Sequence, residues 1–94
     1  MALARAVTFE GVDRQRMAEL SKEIENDPRP NDIPATEIMM LHDEAANTSL
    51  VVLFFENEAD YARGDATLNE MTSSDTPGRR TSVTKYTVAA RMTT

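Results

Sequence analysis

One histidine stands out among the residues that could do chemistry. His42 is the only histidine of the chain, and it precedes Asp43 and Glu44. An imidazole beside carboxylates can act as a general base or a metal ligand. The alternative, a surface residue at the end of a strand, has better support, because a single histidine without further ligands at suitable spacing does not define a metal site. We therefore predict no metal site and keep His42 as a candidate base.

Tyr86 and Arg5 are the other candidates. The Tyr86 hydroxyl could orient a substrate, although packing is the commoner role of a strand tyrosine, and the same holds for Tyr61. Arg5 lies in a strand that is otherwise mostly apolar, where a guanidinium that faces a covered surface needs a partner. It could pair across a dimer, bind an anionic ligand, or extend to solvent at the sheet edge. The candidate catalytic residues are thus His42, Tyr86 and Arg5.

The sequence lacks the usual features that hold a redox cofactor. Haem, flavin and transition metals are bound through thiolates, clustered histidines or a glycine-rich turn after a strand. The chain has no cysteine, and its three glycines, Gly11, Gly64 and Gly78, lie far apart. We expect no bound cofactor, so any oxygen chemistry would depend on an electron-rich substrate, with the protein supplying a base and a dry pocket.

Composition narrows the class of protein and its partners. The 94 residues carry a net charge of −6, a sign that repels phosphate backbones and anionic lipid. Neither nucleic acid nor a membrane is therefore an expected partner. The N-terminus lacks the apolar core of a signal peptide, which favours a cytoplasmic location. The length corresponds to one domain, residues 1–94.

The stretch around which the elements must be arranged is Thr48–Phe55. It contains six consecutive large apolar residues, Leu50 to Phe55. A strand exposed on one face alternates apolar and polar residues, so a continuous apolar run indicates a central strand whose sheet is covered on both faces.

The remaining elements are predicted from periodicity and from helix and strand breakers. The expected strands are residues 3–9, 35–42 and 81–92, the expected helices run from an Asp13 cap to about Asn26 and from an Asn57 cap through Met71, and the expected loops are 27–34 and 73–80. The strands at 35–42 and 48–55 should form a hairpin. Gly64 is expected on the inner face of the second helix, where it permits a close approach to the sheet, unless it marks a break in a poor helix.

The element order is βαββαβ, which defines an α+β, ferredoxin-like fold with a four-stranded antiparallel sheet. Right-handed crossovers place both helices on one face, with the first and third strands in the centre. The second face of the apolar central strand is then left without cover. We expect a second copy of the chain to cover it, sheet against sheet.

Three segments resemble the dimeric α+β barrel superfamily, in particular the antibiotic biosynthesis monooxygenase-like (ABM-like) domains. They are Arg5-Ala-Val-Thr-Phe, Leu53-Phe-Phe-Glu-Asn-Glu and Val83-Thr-Lys-Tyr-Thr-Val-Ala-Ala-Arg. The resemblance implies a homodimer with a pocket between sheet and helices in each subunit. Its haem-degrading branch uses Asn, Trp and His, and this chain has no tryptophan.

The resemblance leaves two functions open. The first is a homodimeric domain that binds a small hydrophobic molecule without catalysis. The alternative is a cofactor-independent monooxygenase that acts on an aromatic substrate. A side-chain-filled interior would favour the first, and an open cavity with Tyr86, Arg5 or His42 pointing inward would favour the second.

Overall fold

The computed structural model describes residues 2–26, 33–70 and 78–92; for residues 23–26 it describes the backbone alone. Six elements occur in the predicted order. They are β1 (Leu3–Glu10), α1 (Arg14–Asn26), β2 (Glu37–Asp43), β3 (Thr48–Phe55), α2 (Glu58–Asn69) and β4 (Arg79–Thr87). The strands form one antiparallel sheet in the order β2-β3-β1-β4, which confirms the ferredoxin-like fold and the central position of β1 and β3.

Alternation along the two central strands divides the sheet into two faces. The odd-numbered residues of β1 and β3 lie under the helices, and we call this side the helix face. The opposite side, the open face, carries the even-numbered residues of both strands and their neighbours on β2 and β4. Its members are Ala4, Ala6, Thr8, Glu10, Glu37, Met39, Leu41, Asp43, Thr48, Leu50, Val52, Phe54, Arg79, Ser82, Thr84 and Tyr86.

The hydrophobic core lies on the helix face in two clusters. The larger one joins Leu3, Leu53, Phe55 and Tyr61 of α2 with Ala35 from the segment before β2. The smaller one consists of Val7, Phe9 and Val12, and Met17 of α1 packs against it. Both helices therefore cover the same face, as the right-handed crossovers predict.

Local signals in the sequence account for the turns and helix starts. The backbone N–H of Arg16 donates to the Asp13 carboxylate (2.8 Å), and that of Asp60 donates to the Asn57 side chain (2.8 Å), so both predicted caps are confirmed. Gly11 leaves β1 with a φ of 73°, and Asn47 closes the β2–β3 hairpin with a φ of 55°. Glycine and asparagine are the residues that adopt this left-handed region most readily.

Two strand boundaries differ from the prediction. β2 begins at Glu37 rather than at residue 35, although the Thr36 N–H still donates to the Phe54 carbonyl (2.7 Å). β4 extends over Arg79–Thr87 and not over residues 81–92. It ends early because β1 provides no partner beyond its own N-terminus, where the Val88 N–H donates to the Ala2 carbonyl (2.9 Å). Met71 and most of the two predicted loops lie outside the described residues.

Gly64 allows α2 to lie directly on the sheet, and the prediction of a close approach is confirmed. A Cβ atom at this position would stand 2.5 Å from Cε1 and 2.7 Å from Cζ of Phe55, whose ring is fully buried. Ring and helix must therefore separate if any side chain is added here. The alternative, a helix broken at Gly64, is wrong.

We expect Gly64→Ala to destabilise the protein, although the same change in an exposed helix stabilises by about 1 kcal/mol. Overpacking of a filled core costs roughly 1–3 kcal/mol, which outweighs that gain. Thermal unfolding monitored by circular dichroism should show a melting temperature lower by about 5 °C. Adding Phe55→Leu should make Gly64→Ala less harmful than it is alone. A higher melting temperature for Gly64→Ala would show that the contact is not tight.

Candidate functional site

The three candidate catalytic residues do not converge within one chain. Arg5 and His42 both lie on the helix face, but on different strands. Arg5 lies beneath α2, whereas His42 contacts the segment before α1. Tyr86 is on the open face, directly opposite Ala4 in the register. The sheet thus separates the phenol from the other two groups.

Arg5 is buried beneath α2, with only 3% of its surface exposed. Its Nε donates to the Asp65 carboxylate at 2.7 Å, and its terminal nitrogen donates to the Asn69 amide oxygen at 3.1 Å. Arg80 of β4 donates to the same amide oxygen at 2.9 Å. The partner that a buried guanidinium requires therefore comes from the same chain. Neither solvent at the sheet edge nor a group across a dimer is needed to explain Arg5.

Tyr61 lies beside this ion pair, on the side of α2 that faces the sheet and in the N-terminal half of that helix. Its ring meets Phe55 edge to face at 5.4 Å, and the Lys85 ammonium lies 5.0 Å from its centroid. Burial raises the pKa of the Tyr61 phenol, and the nearby Asp65 carboxylate raises it further. The phenol is therefore neutral near pH 7, and it packs α2 onto the sheet as the sequence predicted.

The observed contact of His42 is a structural one. It is half-buried, and its Nε2 donates to the Val12 carbonyl at 2.8 Å, which ties β2 to the chain just before α1. The two carboxylates that follow it are used elsewhere. Asp43 accepts from the Ala46 N–H at 3.2 Å, and Glu44 pairs with Arg14 at 3.2 Å. Within the described residues, no three His, Cys, Asp or Glu side chains are grouped so as to hold a metal ion.

The open face carries three of the five large hydrophobic residues that are exposed in the described part of the chain. Met39, Leu41 and Tyr86 are 40%, 47% and 55% exposed, and between them Leu50 and Val52 are half-buried, with neither α1 nor α2 above them. Side chains of these types are seldom placed together on a surface that stays in water. This face was expected to be apolar from the continuous run in β3, and its composition confirms that expectation.

The segment after β4 crosses one end of the open face. The Arg91 guanidinium lies over the Phe54 ring, 5.1 Å from its centroid, and pairs with Glu37 on β2. A stacked, charge-paired arginine of this kind shields the aromatic ring below it. Arg91 therefore covers the Phe54 ring, whereas Tyr86 in the same cross-strand row is 55% exposed and Leu41, near the hairpin, is 47% exposed.

A bulge in β4 gathers three hydroxyl groups at the hairpin end of the open face. Thr8 pairs with Ser82 and Phe9 pairs with Arg80, so Thr81 is the extra residue. The Thr8 hydroxyl consequently has two neighbours, Thr81 Oγ1 and Ser82 Oγ, both at 2.6 Å. Successive strand residues normally point to opposite faces, and the bulge removes that alternation here. We call these three residues the hydroxyl cluster.

A shallow depression of about 260 Å³ adjoins the hydroxyl cluster. It is lined by Thr8, Leu41, Asp43, Thr48 and Leu50 of the open face, together with His42 and Ser49. This location differs from the pocket between sheet and helices that the family resemblance implies. In the described part of that interior, the Arg5–Asp65 pair and a cluster of core side chains lie between α2 and the sheet.

No protein-family model, curated protein or solved structure matches this chain. The resemblance to ABM-like domains therefore stays a prediction. In the described residues, no helix is both long enough and apolar enough to cross a membrane.

Several residues of the site were not singled out from the sequence. Asp65 and Asn69 hold Arg5 from 60 and 64 positions away, and no local pattern indicates that pairing. The hydroxyl cluster depends on the register between β1 and β4 and on the bulge. The one available signal is the Thr81-Ser82 pair at the start of a predicted strand, which becomes informative only once its partner strand is known.

Proposed function

We propose that the protein is a homodimeric ABM-like domain that packs two copies sheet to sheet and binds a small hydrophobic molecule. The observation that carries the proposal is the open face, an apolar sheet surface that the described part of the chain covers only where Arg91 lies over Phe54. A second copy supplies a surface of the same shape and chemistry, as a two-fold interface requires.

The distribution of charge on the open face also supports a second copy as its cover. The residues at the centre of this face on β1 and β3, such as the cross-strand pair Ala6 and Val52, are uncharged. The carboxylates Glu10, Glu37 and Asp43 lie at the ends of their strands. An uncharged centre with a polar rim is the usual composition of a stable interface. Two copies that each carry −6 can then associate without burying like charges against one another.

The positions of the candidate residues support the oxygenase hypothesis less well than the hypothesis of a binding domain without catalysis. A cofactor-independent oxygenase needs a base and a substrate-orienting group in one dry pocket. His42 and Arg5 are engaged within the fold on the helix face, whereas Tyr86 lies across the sheet. This separation of the three groups favours binding without catalysis.

Light scattering coupled to size-exclusion chromatography tests the homodimer. We expect a mass of about twice 10.5 kDa at micromolar concentration, because a sheet interface of standard size buries about 1,600 Å² in total. The mass should persist in 1 M NaCl, since the proposed contact is apolar and salt screens only charged contacts. A monomer under these conditions contradicts the proposal.

A further inference from the structure

We infer that the hydroxyl cluster and the adjoining depression form a ligand site for a small aromatic or aliphatic molecule that carries a hydrogen-bond donor, such as a phenol or an alcohol. The inference rests on the proposed function, because a second copy over the open face would convert this depression into an enclosed space. It assigns the position of the ligand and the chemistry of its polar end.

The apolar part of the site follows from its lining. Leu41 and Leu50 lie side by side on neighbouring strands, and Leu41 is 47% exposed. A volume of about 260 Å³ is near the lower end of known ligand pockets, which suits a molecule of one or two rings. Of the charged groups nearby, Glu10 and Arg79 pair with each other, and Asp43, which lines the depression, accepts from the Ala46 N–H. A carboxylate beside the leucines also favours a ligand that donates a hydrogen bond.

The polar part follows from counting hydroxyl protons. The Thr81 hydroxyl lies 3.2 Å from the Thr8 carbonyl, which can only accept, so this contact uses the Thr81 proton. The contact between the Thr8 and Thr81 hydroxyls then uses the Thr8 proton, and Ser82 donates to Thr8. All three protons are thereby committed, whereas lone pairs on the oxygens remain free. The hydroxyl cluster is left as an acceptor, and its complement is a ligand that donates.

The bulge strengthens this assignment. A regular strand would have placed only one of Thr81 and Ser82 on the open face, and the Thr8 hydroxyl would have had one partner. Bulges recur next to functional sites because they redirect a side chain without changing the sheet. Here the bulge gathers the Thr81 and Ser82 hydroxyls around Thr8, which lines the depression.

The test compares two probes, 1-naphthol and 1-methoxynaphthalene, which share a ring system and differ in their ability to donate. Binding is measured by ligand titration followed by protein NMR. Wild-type protein should bind 1-naphthol about three to ten times more tightly, as one hydrogen bond predicts. The amide signals of Thr8, Leu41 and Leu50 should move during the titration.

Thr8→Val removes the central hydroxyl with little change of shape and should bring the affinity ratio of the two probes to about one. The matched control is Thr84→Val, on the same face of β4 and opposite Ala6, which should leave the ratio unchanged. Equal affinities in the wild type, an unchanged ratio in Thr8→Val, or no binding of either probe would overturn the inference. Light scattering on the same samples separates these results from failure of the homodimer, which would appear as a monomer.

Discussion

Leu53→Asp should unfold the protein, whereas Val52→Asp should leave the fold intact and separate the two copies. Leu53 is 4% exposed on the helix face, where a carboxylate would have no partner but Arg5, which Asp65 already holds. Burying such a charge costs about 4 kcal/mol or more, a large share of the roughly 5–14 kcal/mol expected for a domain of this length. Circular dichroism should show loss of native structure at 25 °C.

Val52 lies between Ala6 and Met39 on the open face, so an aspartate there reaches solvent in a single chain. In the proposed dimer it would bring two like charges into an apolar interface. Association should weaken by at least a thousandfold, while the circular dichroism spectrum is retained. Val52→Thr, of nearly the same shape and uncharged, is the matched control and should stay dimeric. A Val52→Asp dimer of normal affinity would rule out the open face as the interface.

Asp65→Ala should destabilise the protein by about 3 kcal/mol, because it leaves the Arg5 guanidinium buried with only the Asn69 amide as a partner. We expect the lower end of the range for broken buried pairs, since the Asp65 side chain is itself 34% exposed and water can enter in its place. Urea unfolding should show a lower midpoint with an unchanged slope.

Asp65→Asn keeps an acceptor near Arg5 and should cost less than Asp65→Ala. Replacing both partners, as in Arg5→Met with Asp65→Ala, should recover much of the lost stability, because no buried charge is left. If Asp65→Ala alone were harmless, Arg5 would have to find another partner, and an anionic ligand for Arg5 would again be a reasonable hypothesis.

Local sequence signals were sufficient for most of the fold. The apolar run fixed β3 at Thr48–Phe55, and the Asp13 and Asn57 caps placed the helix starts. The bounds of β4 were less predictable, because an edge strand ends where the strand beside it stops pairing with it. Its sequence continues to favour strand after Thr87, but β1 begins at Leu3 and provides no further ladder.

The site was harder to predict because it depends on which face of the sheet each side chain occupies. Side chains of β1 alternate between two faces, but the sequence does not indicate whether the odd- or the even-numbered residues face the helices. Arg5 could therefore equally have faced a partner subunit. Tyr86 and Arg5 were candidates for one pocket, and the register places them on opposite faces. Only the pairing of strands resolves this, and pairing is a non-local property.

The order of the strands has a consequence for how the chain folds. The β2–β3 hairpin closes through a turn of four residues at 44–47, whereas the central pair joins Leu3 to Phe55, 52 positions apart. Closing a long loop costs entropy before its contacts form, so we expect the hairpin to form early and both ladders of β1 to form later. The β1–β4 ladder joins residues still further apart, from Glu10 with Arg79 to Leu3 with Thr87. Until β1 pairs with β3, one edge of the β3 strand is unpaired and both faces of the hairpin are exposed to water. Such a strand pairs readily with another chain, and a newly made protein is most prone to aggregate during that interval.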